Sequence, residues 1–217
     1  MPYWNSNGST PGGCCLPDTI YFADITMDYS ESKLRETFGS VGKNVSVHRS
    51  CIIFGGKRIH IGSNVRIDCF SMLSAGEQGI MIGDHVHIAV GCYLFGSGGK
   101  ITIDDFVSLS ARVSLFTATD DYLLGYMTNP TVPDKYKRVT KGDIVLNKHA
   151  LVGCGAVIMP CTLGVAVSVA ALSFVNKNVA DFEVVKGSPA VKVTSRRRRI
   201  LDLEKQLREE TNFGHSQ

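Results

Sequence analysis

Six histidines, His48, His60, His85, His87, His149 and His215, are the side chains here best suited to accept a proton near neutral pH. His87 is set apart by its place in a repeat. Branched aliphatics recur every six positions around it, at Ile82, Ile88 and Leu94. Residue 87 is the sixth of its hexad, beside the small slot of Val86, and should face outward. His85 and His149 precede Val86 and Ala150 and fall at corners, where asparagine commonly fills a turn. His87 is therefore a candidate general base, against the plainer alternative of a surface or interface histidine. Two carboxylates, Asp120 and Asp121, open a long stretch that begins TDDYLLGYM. They could orient a protonated His87, hold polar groups of a ligand, or cap the segment. Seven cysteines, Cys14, Cys15, Cys51, Cys69, Cys92, Cys154 and Cys161, make an odd count with neither a disulfide framework nor a zinc spacing. Several occupy small slots of the repeat, where a reduced thiol packs as a small hydrophobe. A reducing cytoplasm is the expected compartment.

The elements that must position these groups follow from the same beat. Apolar trios fall at Val41, Val47 and Ile53; Ile61, Ile67 and Leu73; Ile82, Ile88 and Leu94; Ile103, Leu109 and Leu115; Leu146, Val152 and Ile158; and Leu163, Val169 and Val175. Four places after an apolar residue stands a small or β-branched one, as at Val65, Ser71, Val86, Cys92, Val107, Val113, Ala150 and Ala156. One large and one small inward side chain per face is what the interior of a tight coil can hold. A six-residue phase of this kind marks a parallel β-helix, a triangular prism whose coils stack at about 4.8 Å. The spacing predicts about six coils from Val41 to Val175. A long loop, residues 118–143, follows the fourth coil, and its aromatic content argues against disorder. Residues 1–40 read as an irregular arm with an Ile20-Tyr21-Phe22 island and a short helix capped by Ser30. The prism with its loop spans residues 41–193. Residues 194–217 read as a helical tail with an Ile200, Leu203, Leu207 stripe and a Glu204–Arg208 pair.

Composition narrows the function. A net charge of +3 on 217 residues is too small to make nucleic acid the main partner. No apolar run is long enough to span a membrane, and the first residues lack the pattern of a signal peptide. Outward aromatics and methionine on the coils, at Phe54, Phe70, Met72, Tyr93, Phe95 and Phe116, would leave a monomer with broad apolar patches. A homo-oligomer of packed prisms is expected. Arg196 to Arg199, at the start of the tail helix, oppose its dipole and call for acidic compensation.

The hexads, the single long loop and the ending VNKNV…VVKGSPAVKV together resemble the hexapeptide-repeat acyltransferases over about residues 41–193. The nearest branches are the galactoside, maltose and antibiotic O-acetyltransferases and the acyltransferases of surface-polysaccharide clusters, including lipopolysaccharide O-antigen biosynthesis. The resemblance implies an all-β, left-handed parallel β-helix assembled as a homotrimer. It implies acetyl-CoA as co-substrate, no metal, and a sugar or nucleotide-linked amino sugar as acceptor. Matched residue by residue, the CoA groove falls on Gly153, Cys154, Ala171, Ser173, Asn176 and Lys177, with Lys177 and the basic tail facing phosphates. The loop of one subunit would reach over its neighbour's site, where Tyr122 and Tyr126 could stack on a sugar ring or form a small packed cluster within the loop.

Two departures qualify the resemblance. Those sugar and antibiotic enzymes open the loop with a histidine base, and here Asp120 holds that place, in TATDDY from Thr117 to Tyr122. His87, with Asp120 and Asp121, then becomes the expected catalytic set. Near Pro160 the chain reads PCTLG, one residue short, giving a five-residue step from Ile158 to Leu163. Two rival functions remain: a non-catalytic β-helix scaffold, supported by the missing loop histidine, and a γ-carbonic-anhydrase-like hydratase, which needs three converging imidazoles.

Overall fold

The hexad beat becomes three parallel sheets in the computed structural model, which describes residues 27–213. The N-terminal arm with Ile20-Tyr21-Phe22, Cys14, Cys15 and His215 lie outside the described residues. The first sheet stacks Ser40–Val41, Ile59–Ile61, Ile80–Ile82, Ile101–Ile103, Ile144–Leu146 and Cys161–Leu163. The second runs from Val45–Val47 through Val65–Ile67, His87–Ile88, Ser108–Leu109, Leu151–Val152 and Ser168–Val169 to Glu183–Gly187, which pairs antiparallel with Ala190–Ser195 in a terminal hairpin. The third holds Ile52–Phe54, Met72–Ser74, Tyr93–Phe95, Ser114–Phe116, Val157–Ile158 and Phe174–Val175. The apolar trios align in register across coils: Val41, Ile61, Ile82, Ile103, Leu146 and Leu163 form one inward column. All but the partly buried Val41 and Ile53 are buried, as is every small-slot residue named above. The fold is the six-coil parallel β-solenoid that the beat predicts.

Two of the prism's three corners are regular and one absorbs all irregularity. The corner between the first and second sheets places Asn44, Asn64, His85, Phe106, His149, Ala166 and Phe182 at φ of 54–63°, the left-handed region. Asparagine tolerates that conformation; bulky residues do so at a cost of about 1–2 kcal/mol each, so something must hold them. Here they hold one another. Asn44 donates to Asn64 at 2.9 Å, and the His85, Phe106 and His149 rings stack at 4.8 and 5.0 Å. The corner between the third and first sheets takes the short insertions of coils one to three and the long loop of coil four. At Pro160 the same corner tightens, yet Cys161 still pairs with Ile144 and the register is kept. The missing residue is therefore tolerated.

One helix closes the first coil and a second packs on the side of the prism. Ser30 Oγ accepts from the Lys33 amide at 3.3 Å and starts α1, Glu31–Thr37, whose Leu34 covers the first coil with Phe38 just beyond it. The tail helix α2, Arg199–Phe213, lies along the ring ladder. Glu204 binds His149 Nε2 at 2.7 Å, Lys148 Nζ at 3.2 Å and Arg208 Nε at 2.7 Å. Arg208 also reaches Asp105 at 3.2 Å and stacks over Phe106. The expected Glu204–Arg208 pair is thus one side of a larger clamp. Arg196 donates to the His149 carbonyl at 2.9 Å, and Arg198 lies over the Phe182 ring.

The clamp carries a pH prediction. Burial pushes the Glu204 carboxyl up, but hydrogen bonds from His149, Arg208 and Lys148 outweigh it and bring it down to about 2, from an ordinary 4.5. A depressed folded-state value means that its contribution is complete above 4.5 and is lost as pH falls toward 2. Amide protection in α2 is expected to fall across that window before the prism's own amides lose theirs. Glu204→Gln should loosen α2 already at neutral pH and remove the acid step. Hydrogen exchange by mass spectrometry reads both; an acid step of unchanged size in Glu204→Gln would refute the assignment.

Candidate active site

His87 stands on the outer face of the second sheet, half-exposed. Its backbone pairs with Arg66 one coil before and Ser108 one coil after. Its Nε2 lies 2.9 Å from Asp68 Oδ2, and Asp68 Oδ1 accepts from Arg66 Nε at 2.6 Å. Burial pushes the Asp68 carboxyl up, but the hydrogen bonds and charges of His87 and Arg66 prevail and hold it below its ordinary value. Asp68 is the carboxylate that sequence reasoning missed. The signal was present: 21 residues, one full coil, separate His87 from Arg66, and Asp68 follows on the same outward side.

The column of Asp68 continues with small residues. Backbone hydrogen bonds place Ala89, Ser110, Gly153 and Ala170 successively above it. A Cβ on Gly153 would meet the Ala171 nitrogen at 2.5 Å, so glycine is required here by coil stacking whatever else the position does. The column leads from the His87–Asp68 pair to the last two coils, where the resemblance places coenzyme A. Cys154 and the exposed Ala171 sit at the corner just beyond. Asn176 and Lys177 are exposed at the next corner, across the third sheet. Ser173 is different: it is buried, and its hydroxyl accepts from the Gly187 amide at 3.1 Å, tying down the terminal hairpin. Among the described residues no carboxylate pairs with Arg197, Arg199 or Lys177, while Arg196 and Arg198 are committed to the clamp.

The loop forms a second centre on the other side of the third sheet. Its base is an antiparallel hairpin, Ala118–Asp120 against Val139–Lys141, anchored by the buried Thr117 hydroxyl on the Phe95 carbonyl and Gly98 amide. Between hairpin and sheet lies a cavity of about 530 Å³, floored by Phe116, Met159 and Phe174 and walled by Asp120, Tyr122 and Lys137. The Asp120 carboxylate faces this cavity and, among the described residues, accepts only a long 3.4 Å bond from the Asn129 amide. Asp121 accepts from the Leu124 and Tyr126 amides at 2.8 and 3.3 Å; those bonds hold its carboxyl below its ordinary value. Asp121 therefore caps the loop, one of the roles open to it, while the Asp120 carboxylate faces the cavity. Tyr122 is 86% exposed and Tyr126 47%, so they form no packed cluster of their own within one chain.

Within one chain, His87 and the Asp120 cavity belong to different faces of the prism. The third sheet between the loop and the second sheet carries Ile52, Phe54, Met72 and Tyr93 outward, with Phe95 and Phe116 stacked at 5.1 Å. Cys51, Cys92 and Cys161 are buried, and desolvation pushes their thiols up to about 11, which leaves them protonated and chemically quiet. His85 is committed to the ring ladder and His149 to Glu204, away from His87. Among the described residues no three His, Cys, Asp or Glu side chains gather as metal ligands.

No family model matches the chain. It is 40% identical over 176 residues to the dTDP-4-amino-4,6-dideoxy-D-glucose acyltransferase of Escherichia coli, covering 80% of this chain and 91% of the relative. The chain belongs to the hexapeptide-repeat acyltransferases. It is an enzyme, and the scaffold and hydratase alternatives fall away. The crystal structure of AntD, an N-acyltransferase from Bacillus cereus in complex with dTDP and 3-hydroxybutyryl-CoA, superposes with a TM-score of 0.82 at 35% identity, covering 87% of this chain and all of that one. A hexapeptide-repeat acetyltransferase from Vibrio cholerae shares the fold at 24% identity and a TM-score of 0.54.

Proposed function

We propose that this enzyme transfers an acyl group from acyl-coenzyme A to the amino group of a dTDP-linked 4-amino-4,6-dideoxyhexose. The observation that carries the reading is the 40% identity, over most of both chains, to an acyltransferase named for that substrate. The dTDP and acyl-CoA in the Bacillus cereus N-acyltransferase support it. An amine acceptor also answers the missing loop histidine. A neutral amine attacks without prior deprotonation, so its base takes the proton only as the tetrahedral intermediate forms and need not stand at the loop position, whereas a sugar hydroxyl must be deprotonated as it attacks.

The prisms associate as a homotrimer through their apolar third-sheet faces. Assembly brings the His87 face of one copy to the loop cavity of the next. Acyl-CoA runs along the Ala89, Ser110, Gly153, Ala170 column, with Cys154, Ala171 and Asn176 flanking its pantetheine arm. Ser173 serves that groove by fixing the terminal hairpin. Lys177, Arg197 and Arg199 meet the CoA phosphates. In the cavity Asp120 receives the acceptor's ammonium group and Tyr122 and Tyr126 cover the sugar. The ammonium first gives one proton to solvent; the neutral amine then attacks the thioester carbonyl carbon, the tetrahedral intermediate collapses, and the carbon–sulfur bond breaks. The proton lost from nitrogen passes to His87 and then to the departing thiolate, leaving an amide and free CoA. Reduced cysteines and nucleotide-sugar and CoA substrates support a cytoplasmic enzyme that supplies acylated amino sugars for surface polysaccharide such as O-antigen.

The purified protein should release free thiol from acetyl-CoA or 3-hydroxybutyryl-CoA with dTDP-4-amino-4,6-dideoxyglucose, and mass spectrometry should find the nucleotide sugar acylated on nitrogen. Turnover with free galactosides and none with the amino sugar would overturn the reading. Light scattering should give a trimer, and a monomeric mass at micromolar concentration would sink the shared site.

A further inference from the structure

We infer that Asp68 is a positioning residue for His87: it fixes the imidazole as the Nε2–H tautomer, so that Nδ1 is the atom that accepts the acceptor's proton. The inference rests on the reading that His87 takes this proton. The Asp68 carboxylate, held ionised by Arg66, can only accept hydrogen bonds, so the ring nitrogen 2.9 Å from it must be the one that carries hydrogen. A neutral imidazole has one proton, and the lone pair is left on Nδ1. A carboxylate behind the ring also stabilises the imidazolium that forms during transfer. The Asp68 side chain is only one-fifth exposed, and one of its two oxygens is engaged by His87. That gives the ring a fixed partner where an ordinary half-exposed histidine would rotate freely.

Arg66 tunes the pair. Its guanidinium, largely exposed, takes the second oxygen of Asp68 and offsets part of the negative charge that His87 feels. The groups facing the imidazole are accounted for on each neighbouring strand. Arg66 and Asp68 lie on one side and the uncharged Ser108 on the other, with Ala89 and Ser110 along the column. His48, one coil below Asp68, is turned to Ser50, with Nδ1 2.7 Å from the hydroxyl. No second carboxylate contacts His87 among the described residues.

The two partners carry opposite charges, so their removal should act on proton transfer at His87 in opposite directions. Removing the carboxylate destabilises the imidazolium and moves the acid limb of the kcat/KM–pH profile to lower pH. Removing the arginine leaves more uncompensated negative charge and moves it to higher pH. The test compares Asp68→Asn, Arg66→Gln and His87→Ala in the full-length protein, each checked for intact assembly. Asp68→Asn should lower kcat about tenfold with little change in the KM for acyl-CoA, as a part of the contribution of a positioned base. Its limb should move down, and that of Arg66→Gln up. A merely structural Asp68 would not move the two limbs apart. If both variants keep the parent profile while His87→Ala is impaired, the inference is overturned and His87 remains the proton acceptor. If His87→Ala is fully active, the proton acceptor itself is wrong and the inference falls with it.

Discussion

His87→Ala is expected to lower turnover about 10²–10⁴-fold while leaving CoA binding unchanged. The size follows from the role: a positioned base contributes that factor, and the thiolate leaving group can replace it only late in the reaction. The specificity follows from placement. His87 is half-exposed on the outer face of its strand, and the inward neighbour that holds the coil is Ile88, fully buried. Truncating a half-exposed imidazole removes no core contact and only its bond to Asp68, so stability should fall by about 1 kcal/mol or less. A loss of rate then reports chemistry. Steady-state rates by free-thiol release, with CoA affinity by calorimetry, separate the two effects. Unchanged turnover would make His87 a structural partner of Asp68, and Asp120→Asn would become the informative variant, with Asp120 and the thiolate sharing the proton.

The prism was legible in the sequence because its rule is local and repeats. Each apolar residue of a trio needs only its own coil to point inward, and the fixed step then dictates the register with Ile61, Ile82 and Ile103. The corners were half legible. His85 and His149 could be placed in turns because their position in the hexad is fixed, but not their stacking on Phe106 or the docking of α2. The α2 contacts join residues more than 50 positions apart, His149 and Glu204 among them, and no period links them, while His85 and Phe106 stand one 21-residue coil apart on a corner that the inward beat does not describe. The site divides the same way. The outward direction of His87 followed from its hexad position. Asp68 followed from the 21-residue coil, had the period been applied to outward residues as well as inward ones. Ser173 was matched to the CoA groove, yet its side chain answers a buried backbone amide of the terminal hairpin, a demand that only the folded chain reveals. Asp120 and Asp121 are adjacent and chemically alike. What separates them is that the turn at Leu124 and Tyr126 consumes one carboxylate and leaves the other facing the cavity.

Leu94→Ala should destabilise the protein by about 2–5 kcal/mol, toward the upper end of that range. Leu94 is fully buried in the third coil, stacked in register between Leu73 and Leu115. The cost of a large-to-small change depends on how far the surroundings can collapse into the space left. Here they cannot move far, because the coils above and below are fixed on all three faces by parallel ladders. Val41 offers the contrast: it points inward from the first sheet of the terminal coil but is only partly buried, and its neighbour on one side is a cap, not a coil. Val41→Ala should therefore cost less than about half as much, as expected when each repeat draws its stability from its nearest neighbours. The site is tied to the same coil. Leu94 lies between Tyr93 and Phe95 on one strand, and both present their rings on the outer face through which the prisms are proposed to pack. A cavity beneath that strand should weaken trimer formation along with stability, while Val41→Ala should leave the trimer intact. Urea unfolding and light scattering read the two effects. A cost below about 1 kcal/mol at Leu94 would mean that the prism interior is loosely packed and that register alone holds the coils.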